Sequence, residues 1–178
     1  MSLLEVNNLE IVYRTTEKDI HAVNNVSFSI AEQDNYGLVG ESGCGKSTIA
    51  KSALGLLDDN GEIRSGSVRF KGRELTGFSE SDWQDIRWSE ISYIPQSAMD
   101  SLDPVMTVGA QIRQAISKHR DAQRPDINER VTEVFEIVGL DPARTNDYPH
   151  EFSGGMRQRV TIAMALALEP DLIIADEP

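Results

Sequence analysis

The stretch GESGCGKST, Gly40 to Thr48, constrains this chain more than any other. It fits the spacing G-x-x-x-x-G-K-[ST] through Gly40, Gly45, Lys46 and Ser47. The apolar run in DNYGLVG precedes it, and Ile49, Ala53, Leu54 and Leu57 follow at helical spacing. Strand, glycine turn and helix are therefore predicted in succession. Glycines let main-chain N–H groups turn inward on an anion, and the following helix points its positive end at the same spot. Gly40, Glu41, Ser42, Gly43, Cys44, Gly45, Lys46, Ser47 and Thr48 thus form a candidate phosphate cradle. Lys46 brings a full charge to β- and γ-phosphates, and Ser47 offers a hydroxyl to Mg²⁺. The competing reading is a glycine turn with a stray lysine. Within the loop the main chain of Cys44 matters more than its thiol, although a helix N-terminus can lower a thiol pKa and favour alkylation.

A second stretch, LIIADEP from Leu172 to Pro178, reads as a buried parallel strand that delivers acid groups at its tip. Beside a phosphate loop, Asp176 is expected to orient the Mg²⁺ shell and Glu177 to polarise water. Alone, the same residues would be a core strand running into an acidic turn. A third stretch, FSGGMRQR, sets Ser153, Gly154 and Gly155 directly before a long helix, again presenting amides to an anion. Ser153 as an ordinary N-cap is the bland alternative. Because the chain already has one phosphate loop, a second such helix start suggests a γ-phosphate held by another copy of the protein.

Around these motifs the chain changes character. LLEVNNLEIVYR, HAVNNVSFSI and SGSVRFKG read as strands, with the Asn pairs as turn signals. Ser79 is placed to cap a short helix with Asp82 three residues on, and EISYIPQ is a strand that Pro95 stops. TVGAQIRQAISKHR, DINERVTEVFEIVGL and GGMRQRVTIAMALALEP carry helical stripes, with Gly139 suited to a helix end. Strands, a helical block and a returning strand suggest an α/β nucleotide fold with an inserted helical lobe. The 29 acidic against 17 basic residues, net charge −12, oppose nucleic acid as the main partner. A single cysteine, no secretory pattern in MSLLEVNNLE and no run approaching the ~20 apolar residues of a span point to work inside the cell.

Together and in this order, the phosphate loop, SGGMRQR and IIADEP resemble the ATP-binding subunit of an ABC transporter. The family's signature usually reads Ser-Gly-Gly-Gln, and Met156 here stands in its last place. With GESGCGKS, NGEIRSGSVRFKGREL and SLDPVMTVGAQI, the likeness extends to the dipeptide/oligopeptide importer branch and covers essentially the whole chain. The resemblance implies a P-loop NTPase (RecA-like) core, residues 36–61, 88–98 and 160–178. It adds an N-terminal antiparallel β subdomain, 1–35 and 62–75, and an inserted α-helical subdomain, 99–159, that carries the signature.

It also implies roles. Tyr13 matches the aromatic that stacks on adenine, and Gln96 the glutamine that reaches Mg²⁺ and the attacking water. Pro95, Ser97 and Ala98 depart from the usual surroundings of that glutamine. Lys46, Gln96 and Glu177 become the catalytic candidates, with Ser47, Gln96 and, through water, Asp176 toward the metal. Arg157 and Arg159 read as surface salt-bridging residues, with help near nucleotide or partner as the alternative. Implied cofactors are ATP and Mg²⁺. Implied partners are a second ATP-binding subunit joined head to tail, two membrane permease subunits and, indirectly, an extracytoplasmic solute-binding protein, with no nucleic acid. The implied location is the cytoplasmic face of the cell membrane. Family members continue beyond IIADEP, so the chain is expected to be the first portion of a subunit, poor at nucleotide binding and turnover alone. Two other classes compete: the ATPase head of a DNA-repair or chromosome-maintenance protein, disfavoured by the absence of sustained heptads, and a nucleotide-binding adaptor without turnover.

Overall fold

The computed structural model describes residues 2–96, 101–119 and 127–177. The chain divides into two compact units, Met1–Gln84 and Asp85–Pro178.

The first unit is built on an antiparallel sheet in the order β2-β1-β3-β4. Its strands are β1 (Ser2–Arg14), β2 (Asp19–Ala31), β3 (Gly61–Phe70) and the short β4 (Arg73–Glu74). The Asn pairs do not turn the chain. They lie inside β1 and β2 as bulges, where Asn8 and Asn25 take φ of 47° and 51°, and Gly66 of β3 takes 87°. Asn tolerates left-handed backbone in a bulge as readily as in a turn, which explains the misreading. Each bulge inserts one residue, so the inward positions change parity: Leu4 and Val6 before it on β1, Leu9 and Ile11 after it, all buried. Without the insertion the second half of β1 would turn its apolar side chains to solvent. The bulges also bond to each other, Asn8 Nδ2 donating to Asn25 Oδ1 at 2.8 Å. A Cβ on Gly66 would lie 2.4 Å from the carbonyl oxygen of Asn8, so this level of the sheet admits only glycine on β3.

Helix α1 (Lys46–Ser52) follows the glycine loop and buries Ile49, with Ala53 and Leu54 buried just beyond it, as the spacing predicted. The strand expected before the loop is not formed. Residues 34–40 pair with no strand among the described residues, and Val39 is 94% exposed. An apolar run becomes a strand only when neighbours supply ladder bonds, and the antiparallel sheet of this unit does not reach it. Helix α2 (Glu80–Ile86) starts from the expected reciprocal cap. Asp82 Oδ2 accepts from Ser79 N at 2.8 Å, and Ser79 Oγ accepts from Asp82 N at 3.3 Å.

In the second unit β5 (Ile91–Ile94) and β6 (Leu172–Ala175) pair in parallel, and β6 spans the predicted apolar run. Helices α3 (Val108–His119), α4 (Ile127–Ile137) and α5 (Gly154–Leu166) enclose a core around Ile112, Phe135, Phe152 and Val160. Gly139, φ 68°, ends α4 as predicted. Two 3₁₀ helices, Pro142–Asn146 and Pro149–Glu151, lead into α5. Its C-terminal end is held by Arg130, which donates to Leu166 O at 2.7 Å and Ala167 O at 3.0 Å. Among the described residues no helix is long and apolar enough to cross a membrane.

Candidate functional site

The glycine loop sits against β2. A Cβ on Gly45, φ 96°, would lie 2.4 Å from the carbonyl oxygen of Ala22, so side-chain-free backbone is required at this seat. Gly43 is also left-handed, φ 80°. Lys46 folds back over the loop, its Nζ donating to Gly40 O at 3.0 Å and Glu41 O at 2.9 Å, with Cys44 Sγ at 3.9 Å. Its acceptors are loop carbonyls rather than an acid side chain, so the ammonium is not neutralised by the bonds it makes here. Cys44 is exposed. Tyr13 lies on β1 opposite Ile20 of β2, near Ala22 where the loop sits, and its ring is half-buried over Gly61.

The second unit gathers three groups at the C-terminal edge of its parallel pair. Gln96 follows β5 and Glu177 follows β6; Nε2 of Gln96 donates to Oε2 of Glu177 at 2.6 Å across 81 residues of sequence. Glu177 adopts φ 49°, a left-handed turn that carries its carboxylate off the strand. Asp176 continues the ladder through its N–H to Ile94 O at 2.9 Å. Its carboxylate accepts from the hydroxyl of Tyr93 at 3.3 Å. Burial, then the charge and hydrogen bond of Asp176, push the Tyr93 phenol up to about 12. The sequence offered no sign of Tyr93 beyond its place in a strand. Ser97, Ala98 and Pro178 lie outside the described residues.

Ser153 is the N-cap of α5, accepting from Met156 N at 3.4 Å, so the bland reading of its side chain holds. Gly155, two residues on, is open, with nothing within 4 Å of an added Cβ. α5 meets β5 through Ile162 and Ala165, which pack on Ile94. About 13 Å of helix axis separates Ser153 from Ile162 at 1.5 Å per residue. Arg159 donates to Gly139 O at 3.3 Å, at the end of α4, and Arg157 Nε is buried without a hydrogen bond. Neither forms an ion pair among the described residues, contrary to the salt-bridging expectation.

Taken unit by unit, the donor chemistry suits nucleotide with a hard cation. The first unit's loop is built for close backbone approach and carries the Ser47 hydroxyl. The second unit's Gln96 and Asp176 carry oxygens of the kind Mg²⁺ prefers. No group of three or more His, Cys, Asp or Glu among the described residues is arranged to hold a metal ion. Mg²⁺ needs none when phosphate and water complete its shell.

The family model described as ABC transporter matches residues 23–178. The chain belongs to the ABC transporter family. As a member, it is 46% identical to the dipeptide transport ATP-binding protein DppD of Lactococcus lactis subsp. cremoris, over 99% of this chain and 51% of that protein. It is 43% identical to the oligopeptide transport ATP-binding protein AppD of Bacillus subtilis, over 99% of this chain and 55% of that protein. The ABC chain thus spans about half the length of these relatives. Its structure resembles a dimeric post-hydrolysis state of the ATP-binding cassette MJ0796 bound to ADP and Pi, with TM-score 0.83 and 29% identity over 97% of this chain and 73% of that one. The fold is the P-loop α/β fold of these cassettes, with its antiparallel sheet and helical lobe.

Proposed function

We propose that this chain is the ATP-binding portion of a subunit that hydrolyses ATP to energise an importer of dipeptides or oligopeptides. The hydrogen bond between Gln96 and Glu177 carries the reading, since it joins two polar groups 81 residues apart at the strand edge where α/β sheets bind ligands. Its relatives' names supply the peptide class.

Gly40 to Thr48 hold the phosphates, and Lys46 exchanges its loop carbonyls for phosphate oxygens. Tyr13 stacks on the base. Ser47, Gln96 and Asp176 face the metal, Asp176 through water, and Mg²⁺ supplies charge neutralisation on the phosphate oxygens when bound. Glu177 accepts the proton of the attacking water, and Gln96 holds that carboxylate in place. Ser153, Gly154 and Gly155 meet the γ-phosphate bound by a second ATP-binding subunit, so two sites form between two head-to-tail copies. The subunit lies at the cytoplasmic face of the membrane against two permease subunits, fed by an extracytoplasmic solute-binding protein.

The test is uptake of a radiolabelled dipeptide by cells lacking the full-length gene. Uptake falls on deletion and returns with the wild-type gene but not with Glu177→Gln. Unchanged uptake of di- and oligopeptides on deletion sinks the peptide assignment. Full rescue by Glu177→Gln sinks the hydrolytic role.

A further inference from the structure

We propose that Arg144 is the positioning residue of the Ser153–Gly155 turn, a role that rests on the signature reading above. From Asp141 to Ser153 the chain has neither α-helix nor strand, only two 3₁₀ helices. A segment of this kind needs tertiary anchors to hold one conformation. Arg144 supplies them with all three guanidinium nitrogens. Nε donates to Asp147 Oδ2 at 2.7 Å, Nη2 donates to Glu151 O at 2.9 Å, and Nη1 approaches Met156 Sδ at 3.7 Å. The guanidinium carbon also lies 4.3 Å from the ring centroid of Phe152.

The four contacted residues bracket Ser153 on both sides. Phe152, immediately before it, is 4% exposed and belongs to the helical core, so the guanidinium clamps a ring already fixed from behind. Met156, three residues after, turns its thioether toward Arg144. The last place of the Ser-Gly-Gly-Met stretch is therefore a packing position, which accounts for methionine where the family usually has glutamine.

The bracket is itself tied to α3. Val108 N donates to Asp147 O at 3.0 Å, and a Cβ on Gly109 would lie 2.6 Å from Thr145 O. Glu151 Oε2 closes the last turn by accepting from Tyr148 N at 2.7 Å. Arg144 thus links the helical core to the open glycine of the signature. Lysine has one compact ammonium and lacks the planar fork that reaches these separated acceptors while stacking on a ring.

The consequence falls on the partner's ATP, not on the chain's own. In the full-length protein carrying Glu177→Gln, ATP-dependent dimerisation is followed by light scattering, and ATP affinity is measured separately at concentrations where the protein is monomeric. Arg144→Lys and Arg144→Met are compared with Arg144, and Gly154→Asp serves as the variant that blocks the partner's phosphate. Both Arg144 variants are expected to bind ATP as monomers within about twofold of the parent, yet to need roughly tenfold or more protein to dimerise. A purely structural role would move melting temperature and monomer affinity together. Dimerisation of the Lys and Met variants at parental concentrations overturns the inference while leaving the signature reading intact. Failure of the parent to dimerise with ATP, or equal dimerisation by Gly154→Asp, overturns that reading and the inference with it. If Arg144→Met does not fold, Arg144→Lys decides, and misfolding of both overturns the positioning role.

Discussion

Gln96 and Glu177 share a hydrogen bond of 2.6 Å, the amide donating and the carboxylate accepting. The pairing matters because a general base must be held in place, and the amide fixes one carboxylate oxygen. Glu177→Gln in the full-length protein is expected to lower ATP turnover by roughly 10²–10⁴ while ATP binding persists. Gln96→Ala leaves Glu177 present but released, so a smaller loss of turnover follows. Single-turnover hydrolysis with radiolabelled ATP separates the two. Equal losses from both variants would show that the metal-facing role of Gln96 outweighs its hold on Glu177.

Gly45 offers a test of the phosphate loop that does not touch Lys46. Its φ of 96° is left-handed, and an added Cβ would lie 2.4 Å from a main-chain oxygen of β2. That atom cannot rotate away as a flexible side chain would. Gly45→Ala is expected to lose about 1–3 kcal/mol of stability and to weaken binding of a fluorescent ATP analogue by at least tenfold. Urea unfolding and a nucleotide titration measure both. An unchanged pair of values would show that the loop is seated elsewhere than on Ala22.

The parts of this fold that depend on local pattern were legible in the sequence, and those that depend on a neighbour were not. Leu172–Ala175 formed the predicted strand, and Ser79 capped α2 through Asp82, because each signal lies within a few residues. Residues 34–40 carry the same apolar signal as β6 yet form no strand, since ladder bonds come from a partner that periodicity does not name. Asn8 and Asn25 read as turns because left-handed backbone is common to turns and bulges; only the cross-strand bond between them distinguishes the two. Lys46, Asp176 and Glu177 are proposed from motif chemistry alone. Tyr93 and Arg144 were not legible, because their partners lie beyond any local window or carry no motif.

Tyr93 gives the molecule a pH signature. Its pKa rises from 10.0 to about 12, through burial first and then the charge and hydrogen bond of Asp176. The folded state therefore holds the phenolic proton more tightly than the unfolded chain. That contribution to stability is fully present below the unfolded pKa and is lost as pH climbs from about 10 through 12. Tyr93→Phe removes the linkage, so its urea midpoint is expected to fall less steeply than the wild-type value between pH 9 and roughly 11. Parallel curves would show that the hydroxyl titrates as it does in the unfolded chain.

Arg130 anchors the opposite end of α5 from Ser153. Its side chain is 12% exposed and donates to Leu166 O and Ala167 O, the carbonyls left open where the helix ends. Glu133 and Glu169 also face it at 2.7 and 3.4 Å, but they are 57% and 62% exposed, so solvent weakens their share. The carbonyl bonds therefore dominate. Arg130→Met keeps the packing of the stem and removes the donors, with an expected loss of about 2–3 kcal/mol. Because most of that loss comes from hydrogen bonds to neutral carbonyls, it should change little between low salt and about 1 M salt, where the Debye length is only ~3 Å. Urea unfolding of wild type and variant at both ionic strengths makes the comparison. A difference that shrinks strongly with salt would shift the credit to the two glutamates and remove Arg130 as the cap of this helix.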